Sequence, residues 1–508
     1  MSRFVKSLLA LSSYFLLGIL IFHRALEIGF LGDFAGDLLV SQGNWFNFAA
    51  YQWNFYVPAM AIYYGLYKLF HLNPLPYHAF HLSLIIINAW LIYNLAEILK
   101  FKPWQCWVAG LLTLFNSVAS EAYFWLSTIP KVIATGMGVI ALTFLVRFRQ
   151  SGNPKWGCGY LLMIIMALSM ESTALILPLL GLILDLYCRN RLAASREEAP
   201  IFAGLRLHIW TFGITGIFLV FRHFLGIRPF VVNLPLLDKI RTFARTVVST
   251  FFHGLEDHLW SLFKSVSLTS EILFVVSLNI LILVFLILAW RIRQGQEKRL
   301  FLILLLLWVA ACLPHTLGAN FSSRYLYFPG VFASLLIVDL LGSFCRMVSP
   351  KRAYLLISLA VVGYVYSDLG AFHLSSSSYL EASQIYDAGI KTIRNNLPEI
   401  TPGSRLVLID FPDYIHSRQV GPRPYLILVY RNAIPSHLFL LSGNNKFTVT
   451  FIRLSSPSYD NPSILGSSVS PEKFAELMAS PQTIAFRYLP GKPGHFIMFG
   501  ETPPATIP

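Results

Sequence analysis

Charge is what this chain has least of. Only 13% of its 508 residues are Asp, Glu, Lys or Arg, roughly half the share usual in soluble domains. Cysteine is sparse as well. The five residues Cys106, Cys158, Cys188, Cys312 and Cys345 are scattered in or beside apolar runs and form no CxxC, which argues against a structural zinc site or a disulfide framework. No Walker A loop, no GxSxG elbow and no Rossmann fingerprint after a strand occurs, so an ATPase or hydrolase of those types is not expected. HExxH spacing and internal repeats are missing too.

Apolar residues are what the chain has instead. The AVILMFWYC set makes up 56% of it, more than the interior of a soluble fold can hide, and disorder or a collagen-like fibre is excluded by the same figure. The expected fold class is therefore an α-helical polytopic membrane protein. A span needs about 20 apolar residues at 1.5 Å rise each. Eleven runs meet this loosely, near 7–25, 79–98, 104–120, 130–147, 157–171, 173–188, 208–224, 271–290, 300–317, 326–345 and 353–371. Two of them meet in a tight turn at Met170-Glu171-Ser172. The segment 55–70 is short and aromatic and reads as a helix lying at the interface. The first run has a basic start but continues into His23 and Arg24 with no small-x-small site, and so reads as an uncleaved anchor.

Lys and Arg total 39 against 25 acids, a formal +14. No basic stripe interleaves with aromatics, so nucleic acid is not an expected partner. The excess sits in short loops. With Arg3 and Lys6 cytoplasmic, alternation puts Lys100 and Lys102, then Arg147, Arg149 and Lys155, on the same side. Arg189, Arg191, Arg196 and Arg206 follow, then Arg291, Arg293, Lys298 and Arg299, and last Arg346, Lys351 and Arg352. Every such loop is basic, as orientation by positive charge requires. The expected location is a bacterial inner (plasma) membrane. An odd number of spans leaves the tail outside. The chain thus divides into a transmembrane part, 1–371, with a large first outer loop at 26–78, and an extracytoplasmic α/β domain, 372–508. In the tail, Ser375–Ser378 read as a polar hinge before an amphipathic helix near 380–396. Strands are expected at Arg405–Phe411, Tyr425–Tyr430, Lys446–Arg453, Thr483–Tyr488 and His495–Phe499.

The outer loops carry the candidate chemistry. Asp33 and Asp37 share one face if their segment is helical. A carboxylate just outside an apolar bundle is suited to take a proton from a hydroxyl or to bind a cation; the plainer role is a loop acid or a helix cap. Arg324, with Tyr325 beside it, lies in SRYLYFP at 323–329, at an outer span end where the charge bias disfavours cations. Guanidinium matches a phosphate, although an arginine there also snorkels to headgroups. Arg222, ending the seventh span, invites the same two readings. Glu121 and Glu171 stand at outer span ends, where ionisable groups are costly unless paired or used; Lys131 is placed to neutralise Glu121. His78, near a span entry with His81, suits packing more than ligation.

Taken in order, the outer-loop acid, Pro58, LPYH at 75–78, SEA at 120–122 with Trp125, SMEST at 169–173 with Pro178, and SRYLYFP resemble the GT-C superfamily of membrane glycosyltransferases. The chain is similar to its protein O-mannosyltransferase branch and tetratricopeptide-tailed relatives, over about residues 20–345. The resemblance implies inverting transfer of a sugar from a polyprenyl-phosphate donor to an acceptor (protein, lipid or glycan) on the non-cytoplasmic face. Asp33 then matches the base, Arg324 the arginine near the donor phosphate, and Arg222 matches it less well. Glu121 and Glu171 stand at family-like positions. No cofactor is certain, and a divalent metal stays open. The branch often has adjacent acids in the first loop, so the spacing here leaves Asp33 and Asp37 both eligible as base. Relatives have Ser-Lys-Glu where this chain has Ser169-Met-Glu. The tail lacks tetratricopeptide repeats and a β-trefoil signature, so acceptor identity does not carry over. Rival readings are a polysaccharide polymerase or ligase, and a transporter or flippase of lipid-linked glycans. The last would show mid-span ionisable residues and repeat symmetry, which the sequence does not.

Overall fold

A computed structural model describes residues 2–31, 34–43, 57–192, 201–224, 235–252, 255, 268–318, 323–346, 349–396, 403–411, 414–416, 426–428, 433–442, 448–453, 467–480, 482–488 and 496–498. Asp33 lies outside them. Helices stand at all eleven apolar runs. In chain order the elements are α1 (Arg3–Phe22), α2 (Phe34–Ser41), α3 (Val57–Phe70), α4 (Pro74–Ile98), α5 (Pro103–Leu114), α6 (Glu121–Phe124), α7 (Ile129–Ser151), α8 (Pro154–Met170) and α9 (Leu177–Leu192). They continue with α10 (Ile201–Phe224), α11 (Leu236–Phe252), α12 (Leu268–Arg291), α13 (Gly295–Gly318), α14 (Tyr327–Phe344) and α15 (Pro350–Asn395). Eight helical stretches among the described residues are long and apolar enough to cross a membrane. The chain is a polytopic helical membrane protein.

Three of the expected spans fall outside those eight. α8 has 17 residues, and α13 opens on Glu297, Lys298 and Arg299 and holds Pro314 near its end. α5 is a correction: the run at 104–120 is helical only to Leu114. The chain then leaves the helix at Asn116, and the Ser117 hydroxyl donates to the buried carboxylate of Asp368 on α15. A polar side chain that finds a partner elsewhere competes with continued helix.

The expected hinge at Ser375–Ser378 is also corrected. α15 is one unbroken helix of 46 residues, so the division at 371/372 falls inside it. The serines turn their hydroxyls back on their own helix. Ser376 and Ser377 donate to the His373 carbonyl at 3.0 and 2.8 Å, and Ser378 to that of Leu374 at 3.1 Å. Polarity without proline does not break a helix when the hydroxyls are satisfied this way.

At one end of the bundle, cations read as loop charges are buried instead. Arg149 makes a two-pronged bond to Asp185, which His208 also approaches at 3.1 Å, tying α7, α9 and α10 together. Arg293 reaches Asp339 of α14 at 2.6 Å.

At the other end lies the sheet domain. Strands β1 (Arg405–Ile409), β2 (Tyr414–His416), β3 (Leu426–Leu428), β4 (Thr448–Arg453), β5 (Ser467–Ser468), β6 (Thr483–Tyr488) and β7 (Phe496–Met498) cover all five expected strands. The main sheet has the order β5-β4-β1-β6-β7, with β7 antiparallel and the rest parallel, while β2 and β3 pair separately. Alternation along β1 explains the layering. Val407 and Ile409 pack with Ile452, Ala485 and the helix α17 (Pro471–Met478). Leu406 and Leu408 face the other way, into the core shared with α15 and the helix α16 (Ala433–Ser442).

α16 seats the sheet domain on α2 and α15. Its His437 is buried and lies 2.8 Å from the Tyr386 hydroxyl through Nδ1. Burial, with the Arg394 charge nearby, pushes this imidazole down to about 4. The folded form therefore binds the proton more weakly than the unfolded chain does. Its contribution is complete above about pH 6.5 and is lost as the pH falls toward 4, up to about 3 kcal/mol. Thermal unfolding between pH 7 and pH 4 should show this loss, and His437→Gln should flatten that part of the profile.

Candidate functional site

Three breaks between helices meet at the end that carries the sheet domain. They are the 115–128 connection, the extended residue Glu171 with its short turn at Ser172–Ile176, and the turn Ser323–Leu326. Each precedes a helix with proline in its first turn: Pro130, Pro178 and Pro329. Proline is tolerated there because the missing N–H has no helical acceptor, yet it stops an earlier helix from running through. The 323–326 turn packs on α6 and on the 117–119 turn, and the 172–176 turn packs on α13.

This brings together five of the residues singled out in sequence. The Arg324 guanidinium lies over the Trp125 ring at 4.6 Å and the Tyr325 ring at 5.1 Å. The Lys131 ammonium lies over the same Tyr325 ring at 4.0 Å. The Arg324 backbone N–H donates to Glu121 Oε2 at 3.2 Å. Lys131 pairs with Glu171 at 3.4 Å, both side chains only 5% exposed, and Ser172 donates to Glu171 at 3.1 Å.

The expected pairing of Lys131 with Glu121 is thus corrected. Lys131 opens α7 and reaches sideways to the α8–α9 break rather than back along its own chain. Its charge is spent on Glu171. Arg324 is part-exposed, and its guanidinium lies against two ring faces. Glu171→Gln should leave a buried ammonium uncompensated and cost about 3–5 kcal/mol. Thermal stability of the solubilised protein measures this, and adding Lys131→Met should recover most of it.

The loop between α1 and α4 enters beside this platform. α2 packs on the 126–128 turn as well as on α3 and α16. Phe34 meets Tyr63 edge to face at 5.2 Å, and the Tyr63 hydroxyl donates to the Leu126 carbonyl at 3.3 Å. Leu126 follows Trp125. Asp37 is half-buried in the first turn of α2, and Asp33, one residue before Phe34, is outside the described residues. The loop's start is clamped. Gly29 donates its N–H to Ser383 Oγ at 2.6 Å, and a Cβ on Gly29 would stand 2.7 Å from Asp387 Oδ2, so any larger residue there would have to displace the Asp387 and Ser383 side chains of α15. His78 is buried against the same stretch, facing the backbone of Ile28 and Gly29.

Arg222 is buried at the end of α10, which packs on α8 and α9. Sequence reasoning passed over α11 altogether. It packs on α12, α13, α14 and the 323–326 turn, and it carries the buried Arg245. The missed signal was amphipathic periodicity in a segment too rich in cations to pass as a span. Among the described residues no group of three or more His, Cys, Asp or Glu is placed to hold a metal ion.

No protein-family model matches the chain, and no curated protein matches it in sequence. Among solved structures it is similar to the crystal structure of ArnT from Cupriavidus metallidurans bound to undecaprenyl phosphate. The identity is 12% and the TM-score 0.46, over 94% of this chain and 92% of that chain.

Proposed function

We propose that this protein is an integral-membrane glycosyltransferase of the GT-C type. It moves a sugar from a polyprenyl-phosphate donor to an acceptor on the non-cytoplasmic face, with inversion. The observation that carries this reading is the convergence of Arg324, Tyr325, Trp125, Lys131, Glu121 and Glu171 at one end of the bundle, where the first outer loop and the sheet domain also lie. The resemblance of the motif order to that superfamily supports it.

In the proposed reaction a first-loop carboxylate, Asp33 or Asp37, takes the proton from the acceptor hydroxyl. The oxygen attacks the anomeric carbon as the bond to the phosphate oxygen breaks, and the lipid phosphate departs. The leaving group is already a stable anion, so the protein's task is to balance charge, which Arg324 does. Lys131, neutralised by Glu171, also contacts the Tyr325 ring and so helps to position Arg324. The sheet domain beyond α15 helps to place the acceptor.

The test is incubation of the purified protein with labelled polyprenyl-phosphate sugars, followed by mass spectrometry of candidate acceptors. Transfer with release of polyprenyl phosphate supports the reading. Consumption of lipid-diphosphate glycans alone would favour a polymerase or ligase instead.

A further inference from the structure

A second site lies on the rim of the helical part, where α1 ends beside α15. A cleft of about 360 Å³ opens there. Its apolar wall comes from Leu20, Phe22, Phe124, Leu369 and Phe372, with Phe22 and Phe372 packed edge to face at 4.8 Å. Its rim holds His23, Arg24, His373 and Ser376. The helices on both sides present bare apolar faces: Leu16 and Leu20 on α1 and Leu359, Val362 and Tyr366 on α15 are all more than half exposed.

Arg24 Nη1 lies 3.3 Å from His373 Nδ1. A guanidinium only donates, so Arg24 is the donor in this contact. Arg24 keeps its other N–H groups, and all of these are donors. Among the described residues neither side chain forms an ion pair, and Glu27 on the same turn is exposed. The cleft is cationic at its rim and apolar along its wall, and it opens onto lipid-facing helices. Inorganic phosphate would use the rim alone, and a neutral lipid the wall alone.

We propose that this cleft binds an anionic phospholipid, with the phosphodiester on Arg24 and His373 and the acyl chains along α1 and α15. One net negative charge meets one permanent positive charge. The site borders the reaction platform, because Phe124 lines the cleft and the next residue, Trp125, carries Arg324.

The full-length protein in mild detergent, titrated with phosphatidylglycerol and followed by native mass spectrometry, tests this. The wild type should retain phosphatidylglycerol in preference to phosphatidylcholine. Arg24→Gln should weaken retention about tenfold, as loss of a charged hydrogen bond implies. Arg24→Lys should recover part of it, and Lys68→Gln, an exposed cation at the end of α3, should change nothing. A photoreactive phosphatidylglycerol should label residues 20–25 or 369–376 in the wild type, which needs no variant to fold. Unchanged retention by Arg24→Gln, equal retention of phosphatidylcholine, or displacement by inorganic phosphate would overturn the proposal. Preferential displacement by polyprenyl phosphate would overturn it as well, by making this a donor-lipid site. Failure of any kind leaves the glycosyltransferase reading intact, since the assay measures no transfer.

Discussion

Arg324→Ala is expected to lower sugar transfer about 10²–10³-fold, the usual cost of removing a group aimed at charge that develops in the transition state. Arg324 is backed by the Trp125 and Tyr325 rings, and its own backbone N–H is anchored on Glu121. It is therefore preset rather than recruited. Its removal should lower turnover more than it weakens binding of the donor's sugar. Lysine at the same place keeps the charge and loses both the planar stacking and the forked donors, so Arg324→Lys should recover only part of the activity. Steady-state rates at varied donor concentration separate the two effects. Full activity in the alanine variant would remove Arg324 from the mechanism.

Asp33→Asn should reduce transfer about 10²–10⁴-fold, the range for loss of a general base, with expression unaffected. Asp37→Asn should cost under about tenfold, the size of a charge placed to orient rather than to react. The difference rests on position. Asp37 is already built into α2, which is wedged between the 126–128 turn, α3 and α16. Asp33 precedes that helix, on the stretch that begins at the clamped Gly29. The reverse ranking would assign the base to Asp37. Normal rates in both variants would leave the reaction without a base from this loop and end the proposed chemistry.

The helices were legible because about 20 apolar residues in a row is a constraint the bilayer imposes locally. The strands were legible for a similar reason, as alternation and turn residues act over a few positions. What escaped depends on partners far away in the chain. α5 stops where it does because Ser117 finds Asp368, 251 residues on. Arg149 and Arg293 look like loop charges until Asp185 and Asp339 arrive from other helices to bury them. Lys131 sits ten residues after Glu121 yet pairs with Glu171, because adjacency in the fold was set by which breaks the prolines align. The platform residues were each visible as anomalies, namely charged groups at apolar ends. That Lys131 and Arg324 would share the Tyr325 ring was not readable from spacing.

The unbroken course of α15 has a mechanical corollary. Its 46 residues extend about 70 Å at 1.5 Å each, more than twice the roughly 30 Å of hydrocarbon. The excess is a stiff mast that, together with the seat of α16 on α2, sets the sheet's altitude above the lipid. Lengthening the mast by one residue beyond the bilayer would raise the sheet by about 1.5 Å and swivel it by about 100°. Its elevation and its bearing are thus geared together, and neither can be altered alone.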